Sequence, residues 1–547
     1  MTVATTRYQS RPARYVPTVS GVRVTSAKMT GVLENISESG LLLTAAKDLP
    51  NAGDTFTDLQ IETDRLSVEL PQATVVRTTN GLSNSVACRF RDSGKDVLVL
   101  LGTAVEPPLY IRGDLLRNSE EGTAKGLTHR QFAKFAMGGG PNILAKCRDF
   151  FSYIDGLQQS GAYQTLYRVT TTTGLDNRTS VYNPFTRREE EFICFDSNSY
   201  LGLHVHPRVL EATRSALSSF GYGSPSSPIL SGTNKHLREL EETISRFHKR
   251  EATIVFSSGY SANVGTISAL VSKNDVVFAD QFSHASLHDG ARWAVGGRHK
   301  VFPHNDAVVL AEMMREARQE KHRGGTLIVS DGVFSMHGGL VDFPAIRVEA
   351  RRNRATLMID EAHSTGVVGL TGRGIEEHFG CEGSIDILMG TLSKAPGTTG
   401  GYVCGTLELI TYLRFFARSA MFSTALPAAL CAGATEAFKI MMEDVEPLAR
   451  LRENCAMFVS GLNQIGYQVP PAESAIVTVL VGDPNLVVEF SRRLYQRGIR
   501  CGAVSFPAVP SGGELLRFAM NARHTKEDIE QCIEALDVVG RDLGLLG

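Results

Sequence analysis

Nothing in this chain marks it for export or for a membrane. Its 547 residues contain no uninterrupted apolar run long enough to cross a bilayer. The opening stretch, Met1 to Arg14, is polar and basic without an apolar segment, so it does not read as a secretory signal. The nine cysteines are scattered singly from Cys88 to Cys532, with no CxxC pair and no regular spacing. That pattern indicates neither a zinc site nor a disulfide framework, and predicts reduced thiols in a cytoplasm. The net charge is −2, so no basic excess draws the chain to nucleic acid. No short-period repeat is visible. Apolar residues make up 42% of the chain and charged residues 21%, ordinary for a folded soluble protein, and the length predicts two or more domains.

Two unlike halves are present. From about Tyr15 to Ala104, short alternating runs such as Val22-Arg23-Val24-Thr25, Gly40 to Thr44, Ala73 to Arg77 and Val86 to Phe90 are separated by Gly, Asn and Asp clusters, which predicts a small β-barrel or sandwich. A mixed stretch follows, in which Gly138-Gly139-Gly140-Pro141 breaks one short helical pattern and a second runs from Asn142 to Leu157. From about Phe192, continuous apolar runs (Thr253 to Phe256, Val276 to Ala279, Thr326 to Val329, Leu357 to Ile359) alternate with helical patterns such as Leu237 to Phe247 and Ala307 to Arg318. Such runs suit a parallel sheet buried on both faces, in an α/β layer architecture.

The chemistry gathers after those runs. Lys394 lies in Gly390-Thr391-Leu392-Ser393-Lys394-Ala395, followed by the glycine-rich Pro396 to Gly401. Upstream, Thr356 to Ile359 leads into Asp360-Glu361-Ala362-His363-Ser364. An amine on a small-residue loop, with an acid and a histidine at a strand end, is the equipment of a pyridoxal-phosphate enzyme. Ser257-Ser258-Gly259-Tyr260-Ser261-Ala262-Asn263 opens a helix after Phe256 and suits a phosphate, although a plain helix cap has the same composition. Asp280-Gln281-Phe282-Ser283-His284-Ala285-Ser286 offers an imidazole to stack on a flat ring, or a hydrogen-bonded structural histidine.

In order, these segments and several others resemble the α-oxoamine synthase family of fold-type I pyridoxal-phosphate enzymes. The further landmarks are Asn198 to Leu203, Gly232-Thr233 with His236 and Leu240-Glu241, Asp331 to Met336, Phe422 to Pro427, and Leu516-Arg517-Phe518 before His524-Thr525. The resemblance covers roughly residues 145 to 547. It implies pyridoxal 5'-phosphate as cofactor, with Lys394 joined covalently to its aldehyde, Asp360 against the pyridinium, His363 at the ring hydroxyl and His284 stacked on the ring. Ser258, Gly259, Tyr260, Asn263, Asp331, Thr391, Ser393 and Thr424 are implied as further cofactor-binding residues. Thr424 comes from a partner subunit, hence a homodimer. Asn198, Ser286 and Arg517 are implied to face the amino-acid substrate, with Arg517 clamping its carboxylate. The implied reaction is a decarboxylative Claisen-type condensation of serine, alanine or glycine with an acyl thioester (acyl-CoA or acyl carrier protein, the chain expected to be long), giving an α-amino ketone. A short-chain or signal-molecule synthase is the alternative. Pro228 stands where the family has an arginine, His337 replaces an acid, and Pro396 stands where an aromatic is frequent.

Asn35-Ile36-Ser37-Glu38-Ser39-Gly40, with Arg7, Arg11 and Arg14 upstream, resembles the PilZ domain, a β-barrel that binds cyclic di-GMP. Arg7 and Arg11 satisfy the arginine spacing, whereas Arg11 and Arg14 are one residue too close. The plainer alternatives are a solvated basic tail with an Asx-type turn, or a degenerate domain used for docking or dimerisation. If the domain is a receptor, the synthase half becomes its non-catalytic scaffold in the rival reading. The expected architecture is therefore multidomain: a PilZ-like β-barrel over 1–105, a linker with a helical segment over 106–145, an α/β pyridoxal-phosphate domain with its N-terminal arm over 146–430, and a smaller C-terminal α+β domain over 431–547.

Overall fold

The computed structural model describes residues 144–547 apart from 160–168, 184–186, 321–323 and 507, together with the backbone of eight strands between Arg23 and Phe90. The chain divides into two compact units. One runs from Met1 to Gly122 with two short later pieces, and the other holds most of Thr123–Gly547.

In the first unit all eight strands join one sheet, and every pairing is antiparallel. This agrees with the alternating runs in the sequence. Thr30–Ser37 and Gly40–Ala45 form a hairpin whose last register pair is Ser37 with Gly40. Asn35 lies beside a register shift between Leu33 and Asn35. Arg7, Arg11 and Arg14 lie outside the described residues.

The second unit is built on a seven-stranded sheet: β1 Ala252–Phe256, β2 Val276–Asp280, β3 His299–Phe302, β4 Thr326–Asp331, β5 Thr356–Asp360, β6 Ile387–Thr391 and β7 Gly401–Gly405. Their spatial order is β3-β2-β4-β5-β6-β7-β1, and only β7 runs against the rest. Alternate side chains of each strand enter two different cores. Phe278, Ile328, Ile359 and Leu388 pack on one face, and Val277, Val329, Met358 and Met389 on the other. Sheets covered on both faces need such continuous apolar runs.

The sequence reading treats Gly390 to Gly401 as one small-residue loop, but its two ends belong to β6 and β7. Gly390 and Tyr402 are cross-strand partners, and a Cβ on Gly390 would collide with the Tyr402 ring. The glycine that reads as loop composition is there to let that ring cross the strand.

Chain order and spatial order diverge at β2 and β4. After β2 the chain moves outward to β3, and after β4 it moves the other way to β5. The crevice at such a divergence, at the carboxyl ends of the strands, is where ligands bind in open α/β sheets. Asp280, Asp331, Asp360 and Thr391 end four strands on that side. A smaller three-stranded sheet of Ile476–Leu480, Leu515–Ala519 and Gly502–Val504 follows, with Leu515–Ala519 in the middle, and it carries Arg517. The helix Lys526–Asp542 beside it opens with a Thr525–Asp528 capping box.

Candidate active site

Lys394 stands three residues beyond the end of β6, on the turn that returns to β7. No hydrogen bond or ion pair holds its amine among the described residues. Burial pulls its pKa down to about 8, opposed by the Asp360 and Asp331 carboxylates and assisted by the Arg517 guanidinium.

Asp360 is buried at the end of β5. Asn263 Nδ2 donates to its Oδ2 at 2.7 Å, and the Ala362 amide donates to its Oδ1 at 2.9 Å. Asn263 lies on the helix Gly259–Leu270 and also donates to Ser286 Oγ at 2.9 Å. Ser286 Oγ in turn meets His284 Nδ1 at 2.7 Å. Asp331, ending β4, accepts the His284 amide at 3.0 Å, and burial beside Asp360 pushes its carboxyl well above the usual range.

The structure thus places Asn263 as a strut beneath Asp360. Ser286, expected to face substrate, is fully buried under His284, while His284 itself is exposed. The reason is helix capping. His284 is the N-cap of Ala285–Val295, which turns its ring outward and the Ser286 side chain inward.

The helix Gly259–Leu270 presents its positive end beside Thr391. Ser258 caps it by accepting the Ser261 amide at 3.0 Å, and helix geometry leaves the Gly259 and Tyr260 amides without intrahelical acceptors. A Cβ on Gly259 would stand 3.1 Å from Met389 Cε and 3.2 Å from Thr391 Oγ1, so the backbone must be bare there. Thr391 Oγ1 lies 2.9 Å from Ser393 Oγ. The Tyr260 phenol turns away and donates to Asp289 at 2.6 Å, so only its amide serves this corner. Thr424 is exposed, and no hydrogen bond ties it to the cluster.

Opposite, the Arg517 guanidinium donates to Asn198 Oδ1 at 3.0 Å and to the Ser335 carbonyl at 2.7 Å. Tyr200 bridges onward: its Oη lies 3.3 Å from Asn198 Oδ1 and 2.6 Å from His363 Nδ1. Burial, with Lys394, Arg517 and His284 nearby, holds the His363 pKa well below its ordinary value, so the ring is neutral. The sequence reading gives Tyr200 no task; its only signal there is its place two residues after Asn198.

These residues fit pyridoxal phosphate. Amides, hydroxyls and a helix end suit its phosphate, a buried carboxylate suits its pyridine nitrogen, and an unrestrained amine suits its aldehyde. Residues 190–536 match the model for class I and II aminotransferases. Over 393 residues the chain is 35% identical to 8-amino-7-oxononanoate synthase of Bacillus pumilus (strain SAFR-032), covering 72% of this chain and 97% of that protein.

The chain belongs to the α-oxoamine synthase family.

This synthase is a pyridoxal-phosphate-dependent acyltransferase. It is 37% identical over 405 residues to 4-hydroxy-2,2'-bipyrrole-5-methanol synthase PigH of Serratia sp. (strain ATCC 39006), covering 74% of this chain and 61% of PigH. Among solved structures, Sphingomonas wittichii serine palmitoyltransferase superposes with TM-score 0.70 at 29% identity, covering 74% of this chain and all (100%) of that one. No described helix of the synthase is long and apolar enough to cross a membrane.

Proposed function

We propose that this synthase condenses a small amino acid (serine, alanine or glycine) with a long-chain acyl thioester, giving an α-amino ketone, free thiol and carbon dioxide. A carbon–carbon bond forms between the amino-acid α-carbon and the acyl carbon. The carbon–sulfur bond and the bond to the carboxylate break, and the departing thiolate takes a proton. When bound, the cofactor supplies an electron sink for the bonding pair at the α-carbon.

The observation that carries this reading is the Arg517–Asn198 pair standing one hydrogen-bonded side chain from His363. A planar guanidinium suits a carboxylate in two-point contact. Arg517 and Asn198 hold the amino acid by that group. Lys394 binds the cofactor aldehyde and afterwards moves the proton at the α-carbon, a task its lowered pKa favours. Asp360, steadied by Asn263, keeps the pyridine nitrogen protonated. His363 faces the ring hydroxyl, and His284 covers the ring with Ser286 orienting it. The amides of Gly259 and Tyr260, with the hydroxyls of Ser258, Thr391 and Ser393, hold the phosphate. Asp331 fixes the His284 backbone. Thr424 completes the site of a second subunit in a homodimer.

The kinship to serine palmitoyltransferases supports the long acyl chain, and Pro228 in place of an arginine is compatible with it. The eight free cysteines of the described residues are in keeping with a cytoplasmic setting. For the N-terminal unit we propose a PilZ-like barrel that binds cyclic di-GMP through Arg7, Arg11, Arg14, Asn35 and Ser37, with Gly40 turning the hairpin. Arginines suit guanine edges and phosphates. Calorimetric titration of the full chain with cyclic di-GMP checks this, and absence of heat ends the receptor idea.

The condensation is tested by thiol release from palmitoyl-CoA with serine, alanine and glycine supplied separately. Release with one of them is expected. Silence with all three, in protein whose cofactor spectrum responds to amino acid, rejects the long-chain acyl-CoA donor.

A further inference from the structure

Tyr200 is fully buried and joins the two halves of the site. Its single hydroxyl proton has two neighbours, Asn198 Oδ1 at 3.3 Å and His363 Nδ1 at 2.6 Å. Arg517 can only donate, so Asn198 presents its oxygen to both Arg517 and Tyr200. Hydroxyl donors make shorter bonds than N–H donors, and a phenol is a stronger acid than a neutral imidazole N–H. The 2.6 Å contact therefore takes the proton, and the 3.3 Å contact is weak. His363 Nε2 makes no hydrogen bond among the described residues, yet it is not among the buried polar atoms left without a partner, so it opens on the cleft.

We infer that Tyr200 is a positioning residue that donates its hydroxyl proton to His363 Nδ1 and thereby fixes Nε2 as the nitrogen that presents N–H to the cofactor's ring hydroxyl. The inference rests on the reading that His363 faces that hydroxyl. A donor at that point favours the ionised oxygen. An imidazole with the opposite tautomer would present a lone pair and oppose it.

Tyr200→Phe keeps the ring packing and removes the proton. In the loaded protein, the pH midpoint of the bound cofactor's visible absorption is expected to rise by about one unit at full cofactor occupancy. In a His363→Asn background the same substitution should add no further shift, because the effect runs through His363. A purely structural tyrosine would alter stability and leave the midpoint in place. An unchanged midpoint in folded, fully loaded Tyr200→Phe overturns the inference. Should that variant not fold, the wild type still decides. Nitrogen NMR of labelled histidine is expected to show Nε2 protonated and Nδ1 bare, and the reverse pattern overturns the inference. Failure of His363→Asn alone to move the midpoint would instead reject the placement of His363 at the ring.

Discussion

Asp331 and Asp360 are register partners at the carboxyl ends of neighbouring parallel strands, and both carboxylates are buried. Two such charges side by side repel, and the cost falls on Asp331, whose carboxyl is pushed up by burial and by Asp360. Asp360 has two donors on its oxygens and is the one equipped to stay ionised. Asp360→Asn should retain the fold and bind the cofactor, while turnover falls at least about a hundredfold for want of a ring-nitrogen partner. Steady-state rates beside cofactor stoichiometry check this. Turnover within threefold of wild type would remove Asp360 from the chemistry.

The amine of Lys394 titrates near 8, against an ordinary 10.5, because its charged form is desolvated. Only the neutral amine attacks an aldehyde. Covalent capture of pyridoxal phosphate by the apoprotein, followed by reductive trapping and mass spectrometry, should therefore accelerate as pH rises, with a midpoint near 8. A midpoint near that of a free lysine would show that the pocket does not desolvate the amine. Lys394→Ala should lose turnover by about a thousandfold or more and still retain cofactor.

Replacing Arg517 with alanine removes charge-assisted hydrogen bonds worth about 1.5–3 kcal/mol each. The KM for the amino acid should rise roughly 10- to 150-fold, with cofactor affinity little changed. Equal loss of both affinities, measured by titration of apoprotein and holoprotein, would place Arg517 at the cofactor instead.

Much of this site is legible in the sequence because its parts follow strand ends. Lys394, Asp360 and His363 each sit just beyond an apolar run. What escapes is whatever depends on distant pairing. Tyr200 and His363 are 163 positions apart, and Asn198 and Arg517 are 319 apart, so no local pattern announces either contact. The strands β6 and β7 are hidden for another reason. Gly390 and Gly401 carry the composition of a loop, although tight packing against Tyr402 and the Ser258–Gly259 backbone is what requires them. Ser286 is misread in a third way, because an N-cap histidine decides which neighbouring side chain turns inward.

Glu361 supplies a test of the scaffold beneath Asp360. Its side chain is fully buried, accepts from Ser364 Oγ, and takes the Ile375 amide at 3.0 Å. Those donors favour the carboxylate, but burial outweighs them and raises its pKa from 4.5 to about 8. Below the unfolded value, both states carry the proton. Across the window between the two values, the folded apoprotein holds a proton that the unfolded chain has released. Stability therefore falls as pH rises through that window, by at most about 1.4 kcal/mol per unit, and levels off above it. Glu361→Gln cannot titrate. Its urea midpoint relative to wild type, both as apoprotein, should move steadily in the variant's favour from about pH 5 to about pH 8. A constant offset across that range would mean that Glu361 is ionised in the folded state, and that the donors from Ser364 and Ile375 outweigh its burial.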